Sequence, residues 1–152
     1  MAKKSAGILV FRMNLGVPEI LLMHPGGPYW AKKDEGAWSI PKGEVNENET
    51  DREAAEREFK EETGINLTGK FIELEPIRQS NKIVYAWAVE QDIEAAQIKS
   101  NLFEMEWPPK SGKFRSFPEI DKAEWFPANE AKIKLIKGQV ALIEQLEHKL
   151  QL

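Results

Sequence analysis

The stretch GEVNENETDREAAEREFKEETGI, residues 43–65, is the most strongly patterned part of this 152-residue chain. Thr50 has Glu53 three residues after it, which is the spacing of a helix N-cap with its capping box. Gly64 stands where a helix ends, because glycine adopts the left-handed conformation of a C-terminal cap at little cost. Between these ends, alanines and Phe59 supply an apolar side. The pattern predicts one helix between Thr50 and Gly64.

The same helix carries a cluster of carboxylates. At about 100° per residue, Glu58, Glu61 and Glu62 fall within roughly a third of its circumference. Like charges at these spacings destabilise a helix, and a bound cation would offset that repulsion. The chain has no cysteine, and its two histidines, His24 and His148, are far apart, so a zinc, copper or iron site is not expected. Oxygen ligands favour a hard divalent ion, Mg²⁺ or Mn²⁺.

The spacing of these residues resembles a known family motif. The stretch is similar to the Nudix box of the Nudix (MutT-related) hydrolases at its fixed charged and glycine positions, which are Gly43, Glu49, Arg57, Glu58, Glu61, Glu62 and Gly64. Phe59 departs from the family, which carries an aliphatic residue there. Because this position faces the predicted core, the larger ring requires repacking rather than new chemistry. A solvated charged helix would explain the glutamates but not the glycines and the arginine.

The resemblance implies a metal-dependent hydrolase that cleaves a phosphoanhydride bond in a nucleoside diphosphate linked to another moiety. It implies that Arg57 holds a box glutamate in place and that Glu49 supports the metal ligands from behind. Glu119 resembles the further carboxylate that some family members bring from outside the box, and Glu104 and Glu106 are the alternatives. The implied metal ligands are the Gly43 carbonyl, Glu58, Glu61, Glu62 and Glu119; the implied catalytic residues are Arg57, Glu58, Glu61 and Glu119. Glu58 and Glu119 both remain open as the general base.

The residues expected to bind substrate lie outside the helix. Lys42 belongs to a Pro-Lys-Gly sequence similar to that of dinucleoside-polyphosphate hydrolases, which implies contact with phosphate. The loop of residues 29–36 offers Tyr29, Trp30 and Lys32 for a base and phosphates, although the aromatics can equally pin the loop to the body. Residues 101–118 have no helix or strand period, and a long ordered loop is often functional. Its basic residues Lys113 and Arg115 are further candidates for the phosphate chain.

Substrate identity stays open at this stage. The Pro-Lys-Gly form favours dinucleoside polyphosphates such as diadenosine tetraphosphate, and the alternative enzyme is a nucleoside-triphosphate pyrophosphatase that removes oxidised nucleotides. A non-catalytic nucleotide-binding domain is the alternative outside enzymology. The box sets the reaction class, whereas the loops set the substrate.

Composition limits the remaining choices. The length suits one domain, residues 1–152, with a real core. No run is long and apolar enough for a membrane span, no signal-type segment is recognised, and the lack of cysteine favours the cytoplasm. A net charge of −4 argues against stable, non-specific nucleic-acid binding, so the expected partner is a small nucleotide. The sequence does not predict the oligomeric state.

Hydrophobic patterning predicts an α/β fold. Strands are expected at residues 6–13 and 19–23 as a hairpin, then at 38–44, 70–80 and 82–90, and finally around Trp125. Residues 129–152 have apolar residues at helical spacing, and Gly138 divides them into two helices. The prediction is a Nudix-type α/β/α sandwich with a central mixed β-sheet, with the box helix on one side and the C-terminal helices on the other.

Overall fold

A mixed sheet forms the centre of the computed structural model, which describes residues 3–151. The strands are β1 (Lys3–Asn14), β2 (Val17–Pro25), β3 (Lys42–Glu44), β4 (Phe71–Glu73), β5 (Ile77–Gln79), β6 (Lys82–Glu90), β7 (Leu102–Glu106), β8 (Phe114–Pro118) and β9 (Ile120–Pro127). The helices are α1 (Asp51–Thr63), α2 (Ala128–Lys134) and α3 (Val140–Lys149), with short 3-10 turns at Ala95–Gln97 and Lys137–Gln139.

The sheet has the order β4-β6-β1-β2-β9, with β3 beside β1 and β5 beside β6. β1 runs parallel to β6, and the other pairings in this sheet are antiparallel. Strand β1 touches both β2 and β3 along one edge, β3 near its start and β2 near its end. The sheet therefore brings the Pro-Lys-Gly segment against the first strand of the chain.

Both faces of the sheet are covered. Leu9 and Phe11 of β1 belong to an apolar cluster that also contains residues of α2 and α3. Ile8 and Val10, on the opposite face of the same strand, belong to a second cluster with Phe59 of α1. Because β1 is buried on both faces, it reads as a continuous apolar run rather than an alternating one. The predicted α/β/α sandwich is confirmed.

Three sequence predictions need correction. Residues 102–118 are not an irregular loop: β7 and β8 pair as an antiparallel hairpin that forms a separate two-stranded sheet. Its strands show no clean alternation because the hairpin does not lie on the main core. The strand predicted at 70–80 is split into β4 and β5 around Pro76, since proline has no N–H for a sheet ladder. Within 38–44, only Lys42–Glu44 form a strand.

The C-terminal region follows the predicted division. Gly138 lies in the 3-10 turn between α2 and α3. The predicted tail extends to Leu152, which lies outside the described residues, as do residues 1 and 2. In the described part of the chain, no helix combines the length and the apolar character needed to cross a membrane.

Candidate active site

Helix α1 is fixed at both ends by the interactions that its sequence predicts. The Thr50 hydroxyl accepts a hydrogen bond from the Glu53 amide at 3.1 Å, and the Glu53 carboxylate accepts one from the Thr50 amide at 2.8 Å. Gly64 ends the helix with φ at 76°, and its amide donates to the Lys60 carbonyl. These caps set the start and end of the helix, and so the direction of each side chain between them.

The buried side of α1 determines where its acids point. The residues of this side are fully buried, with 0% of their surface exposed; they are Ala54, Ala55, Phe59 and Thr63. The predicted core position of Phe59 is thus confirmed. At about 100° per residue, Glu58 and Glu62 project between the directions of Ala54 and Ala55 and are half-buried, whereas Glu61 projects just outside this arc and is exposed. The three acids therefore do not share one environment.

Gly43 and Glu58 are in very close contact. A Cβ atom built on Gly43 would lie 2.1 Å from Cδ of Glu58, which is far inside van der Waals contact. Gly43 is held at this distance because β3 pairs with β1, with Gly43 opposite Ala6. A side chain at position 43 would therefore have to displace the Glu58 carboxylate, which occupies that space.

Arg57 organises the acids around it. Its Nε and Nη2 donate to the two carboxylate oxygens of Glu49 at 3.0 and 2.7 Å, a bidentate pair. Its Nη1 donates to Glu58 at 2.9 Å and to Glu61 at 3.3 Å, and Nη2 also reaches the Glu44 carbonyl at 3.0 Å. Hydrogen bonds to Glu49 and Glu58 raise the pKa of Arg57, and the bond from Arg57 lowers the pKa of Glu49.

Glu62 is the most strongly perturbed acid in the described chain. Its Oε2 atom is buried and has no hydrogen-bond partner. Burial, with further contributions from Glu58 and Glu119, raises the pKa of Glu62 to about 8. Lys42 opposes this increase with its positive charge and its backbone amide. Buried acids with shifted pKa values in a cleft are typical of functional sites.

Glu119, which directly precedes β9, lies at the same place as Glu62. It lines a small cleft of about 160 Å³ together with Glu62 and Lys42. Its carbonyl accepts from the Gly26 amide at 2.9 Å and its amide donates to the Asn101 carbonyl at 2.8 Å. The alternative Glu106 is occupied elsewhere, since it accepts from the amides of Lys110 and Gly112 in the turn of the hairpin.

Larger pockets occur away from these residues. One of about 640 Å³ lies at the turn between β1 and β2 and is lined by residues such as Leu15, Val17 and Asn129. It contains none of the predicted site residues. Size alone is a poor guide here because a pyrophosphate is small and strongly charged, so the acidic cleft is the better candidate.

The predicted substrate residues fall into two groups. Lys42 is in the acidic cleft, where burial lowers its pKa, Lys82 adds to this decrease, and Glu62 opposes it. The other group is exposed and does not line that cleft; it comprises Tyr29, Trp30, Lys32, Lys113 and Arg115. Tyr29 packs edge-on against Trp107 of the hairpin, with ring centres 5.4 Å apart. The aromatic loop is therefore attached to the hairpin.

The donor set of the site meets the needs of a divalent cation in chemistry but not in geometry. Between residues 3 and 151, no group of three or more histidine, cysteine, aspartate or glutamate side chains is gathered tightly enough to hold an ion. Arg57 supplies the physical reason, since it draws Glu58 and Glu61 towards its own charge. The all-oxygen chemistry and the unpaired buried oxygen of Glu62 nevertheless fit a hard cation, with Glu58 adjoining Gly43.

One supporting residue was not predicted from the sequence. Gln139 is completely buried, and its side-chain oxygen accepts from the Ile40 amide at 3.1 Å while its nitrogen donates to Ser39 at 3.1 Å and to Gln79 at 3.0 Å. It thereby anchors the segment that leads into Lys42 and Gly43. The sequence shows only a glutamine in an amphipathic tail, which carries no signal for this role.

Comparison with known proteins gives a consistent result. The family model described as NUDIX domain matches residues 1–146. Nudix hydrolase 5 of Arabidopsis thaliana is 29% identical over 130 residues, which are 85% of this chain and 38% of that protein. The chain thus spans well under half the length of this curated relative.

Solved structures share the fold at low identity. An Ap4A hydrolase binary complex from C. elegans superposes with a TM-score of 0.64 at 22% identity, covering 98% of each chain. The NUDIX domain of Shewanella oneidensis NrtR, crystallised with ADP ribose, superposes with a TM-score of 0.68 at 16% identity, covering 99% of this chain and 89% of that one. At these identities the likeness concerns the fold.

Proposed function

This chain belongs to the NUDIX family, whose hydrolases act on pyrophosphate bonds of nucleotides, and we propose that it is a divalent-metal-dependent pyrophosphohydrolase acting on dinucleoside polyphosphates. The observation that carries the proposal is the cleft in which Glu62, with its unpaired buried oxygen, meets Glu119 and Lys42. An acidic cleft with one lysine is suited to a phosphate chain whose charge is neutralised by cations.

The metal ligands in this proposal are Glu58, Glu61, Glu62, Glu119 and the Gly43 carbonyl. When bound, Mg²⁺ or Mn²⁺ neutralises charge on the phosphates and lowers the pKa of the attacking water. For Glu58 and Glu61 to bind the cation, Arg57 must give up part of its hydrogen bonding to them. Its bidentate pair with Glu49 keeps the guanidinium in place.

The chain's own residues then divide the work. Lys42 contacts a phosphate oxygen, and its burial in the cleft lowers its pKa. Glu58 or Glu119 accepts the proton of the water that attacks phosphorus. The remainder of the substrate contacts side chains of the loop and the hairpin, which are Tyr29, Trp30, Lys32, Lys113 and Arg115. The cysteine-free composition favours the cytoplasm for this activity.

The substrate preference rests on two observations of different kinds. Pro41, Lys42 and Gly43 form the sequence that resembles dinucleoside-polyphosphate hydrolases. The Ap4A hydrolase from C. elegans has the same fold over 98% of both chains. The alternatives are a nucleoside-triphosphate pyrophosphatase, with oxidised nucleotides among its candidate substrates, and a nucleotide-binding domain without turnover. The NrtR domain that was crystallised with ADP ribose shares this fold.

A substrate panel tests the proposal. Purified protein is incubated with diadenosine tetraphosphate and with normal and oxidised nucleoside triphosphates, first with Mg²⁺ or Mn²⁺ and then with excess chelator. ATP released from the tetraphosphate supports the proposed substrate, whereas pyrophosphate released from a triphosphate supports the alternative. Binding without turnover of any substrate refutes the enzymatic function.

The matched variants are Glu62→Gln and Glu56→Gln. Both lie on α1, but Glu56 is exposed and its nearest ion-pair partner, Arg52, is 4.0 Å away. We expect Glu62→Gln to lose turnover and Glu56→Gln to retain it. Equal activity in the two variants would contradict the proposed role of Glu62.

A further inference from the structure

His24 is a buried polar residue that the proposed reaction does not use. It lies near the end of β2 with 1% of its surface exposed. Nδ1 of its ring is 2.8 Å from Oδ1 of Asp121, and Nε2 is 2.6 Å from the carbonyl oxygen of Lys33. The imidazole thus connects two segments that are far apart in sequence.

Both of these partners belong to segments of the proposed site. Lys33 follows Tyr29, Trp30 and Lys32 in the loop between β2 and β3. Asp121, in β9, stands two residues after Glu119. A single ring therefore connects the loop proposed to contact substrate with the strand that follows the proposed catalytic carboxylate.

The hydrogen-bond chemistry is unambiguous at one of the two ring nitrogens. A carbonyl oxygen only accepts, so Nε2 of His24 must donate its hydrogen to Lys33. Toward Asp121, the ring donates from Nδ1 when the acid is a carboxylate. Loss of the ring nitrogens would leave the Lys33 carbonyl and the Asp121 carboxylate without the partner that joins them.

Neighbouring contacts show that the loop is held at this point. The His24 ring packs edge-on against Trp38, with ring centres 5.0 Å apart. Trp38 in turn donates from its indole to Asp34 at 2.8 Å, and Lys134 pairs with the same carboxylate. These contacts hold Lys33 and Asp34 against the rest of the protein, while the side chains of Tyr29 and Trp30 are 57% and 39% exposed.

Hydrogen bonds between residues of the loop itself also hold its shape. The Lys33 amide donates to the Trp30 carbonyl at 2.9 Å, and the Trp30 amide donates to the Gly27 carbonyl at 3.3 Å. The Lys33 ammonium lies 4.8 Å from the centre of the Trp30 ring. These contacts couple the position of Lys33 to the backbone and the exposed ring of Trp30.

We propose that His24 is a positioning residue. Its two ring nitrogens fix the loop of residues 29–36, which is proposed to contact substrate, against strand β9. The proposal rests on the proposed function for its kinetic consequence, because it assigns the loop a role in binding substrate. Its structural consequence, an anchored loop, is independent of any activity.

Two variants separate the bridge from simple packing. His24→Phe keeps a ring of similar shape against Trp38 but removes both hydrogen bonds. Asp121→Asn preserves the bridge, since an asparagine amide can donate to Nδ1 while Nε2 still donates to Lys33. The matched control is His148→Phe, the same substitution at the exposed end of α3.

Limited digestion with trypsin provides the readout that needs no substrate. Lys32 and Lys33 are exposed and offer two cleavage sites within the loop, and exposed Lys99 is an internal reference. We expect His24→Phe to be cleaved roughly tenfold faster at Lys32 or Lys33, with cleavage at Lys99 unchanged. Asp121→Asn and His148→Phe should follow the wild-type pattern.

Kinetics provide the second readout. For His24→Phe we expect KM to rise by about tenfold, because the loop must be ordered at the moment of binding, with kcat changed by less than about threefold. Wild-type digestion in His24→Phe overturns the proposal, as does faster digestion throughout the chain or a loss of kcat at unchanged KM. If wild-type protein turns over no nucleotide, the proposed function fails and the digestion result alone decides the role of His24.

Discussion

Gly43 has no room for a side chain because the Glu58 carboxylate occupies that space, with Cδ 2.1 Å from the position a Cβ would take. The two residues belong to different elements, β3 and α1, and their contact joins the Pro-Lys-Gly segment to the acidic helix. Any side chain added at Gly43 must move the Glu58 carboxylate. This coupling can be measured.

The first prediction concerns Gly43→Ala. The new methyl group must displace the Glu58 carboxylate, which Arg57 holds at 2.9 Å. We expect a decrease in the free energy of unfolding of about 1–3 kcal/mol and a loss of kcat/KM of roughly 10–100-fold. Chemical denaturation and steady-state kinetics measure the two effects. In a Glu58→Ala background the same substitution should cost much less, and equal costs in both backgrounds would exclude the proposed clash.

The second prediction concerns the Arg57 fork. A lysine at this position keeps the charge but cannot form the bidentate pair with Glu49 and reach Glu58 at the same time. We expect Arg57→Lys to lower the free energy of unfolding by about 1–2 kcal/mol and activity by roughly 10–100-fold. Arg52→Lys, on the exposed side of α1, is the control and should cost less than about 1 kcal/mol. Equal losses in the two variants would show that the fork has no special role.

The third prediction uses the pKa of Glu62, which is raised from 4.5 to about 8. In that interval the folded protein keeps a proton that the unfolded chain has lost, so the contribution of Glu62 to stability falls as pH rises from about 4.5 to about 8. Glu62→Gln lacks this titration. With chelator present, the variant should match the wild type below about pH 4.5 and exceed it by roughly 2–4 kcal/mol above about pH 8.

Denaturant titrations at a series of pH values measure this difference, with Glu56→Gln as the control on the same helix. The control should track the wild type throughout. A difference between wild type and Glu62→Gln that does not change with pH would contradict the assigned pKa.

The fourth prediction concerns metal binding. A carboxylate binds a metal ion in its ionised form, so a cation at Glu62 must displace a proton below about pH 8. The Mg²⁺ concentration that gives half of the maximal thermal stabilisation should therefore fall by up to about tenfold for each pH unit and level off above about pH 8. Melting curves over a Mg²⁺ titration measure it. A midpoint that is constant over this interval would mean that Glu62 is not a ligand.

The sequence predicts best what is decided locally. The caps at Thr50 and Gly64 and the buried face of α1 depend on residues a few positions apart, and the structure contains each of them. The sandwich follows in the same way from the long apolar runs of β1 and β6. The family resemblance adds the identity of Gly43 and Arg57, whose reasons become visible only in their contacts with Glu58 and Glu49.

What the sequence does not predict depends on contacts between distant segments. Phe103 and Phe117 pair across the β7–β8 hairpin, but the turn between the strands is seven residues long and the hairpin lies off the main core, so neither length nor alternation indicates it. Glu62 shares a cleft with Lys42 of β3 and with Glu119, and a helical pattern alone does not indicate these two neighbours. His24 and Gln139 act through partners about one hundred residues away.

The base of the hairpin has a consequence for how such a protein can diverge. Glu119 directly follows β8, yet its backbone is tied to Gly26 and Asn101, and a Cβ on Gly26 would meet the Pro118 carbonyl at 1.8 Å. Insertions or deletions near Lys110 would therefore change the turn of the hairpin without moving Glu119 at its base. In the proposed function, where Lys113 and Arg115 contact substrate, such changes would alter specificity while the proposed catalytic acid keeps its position.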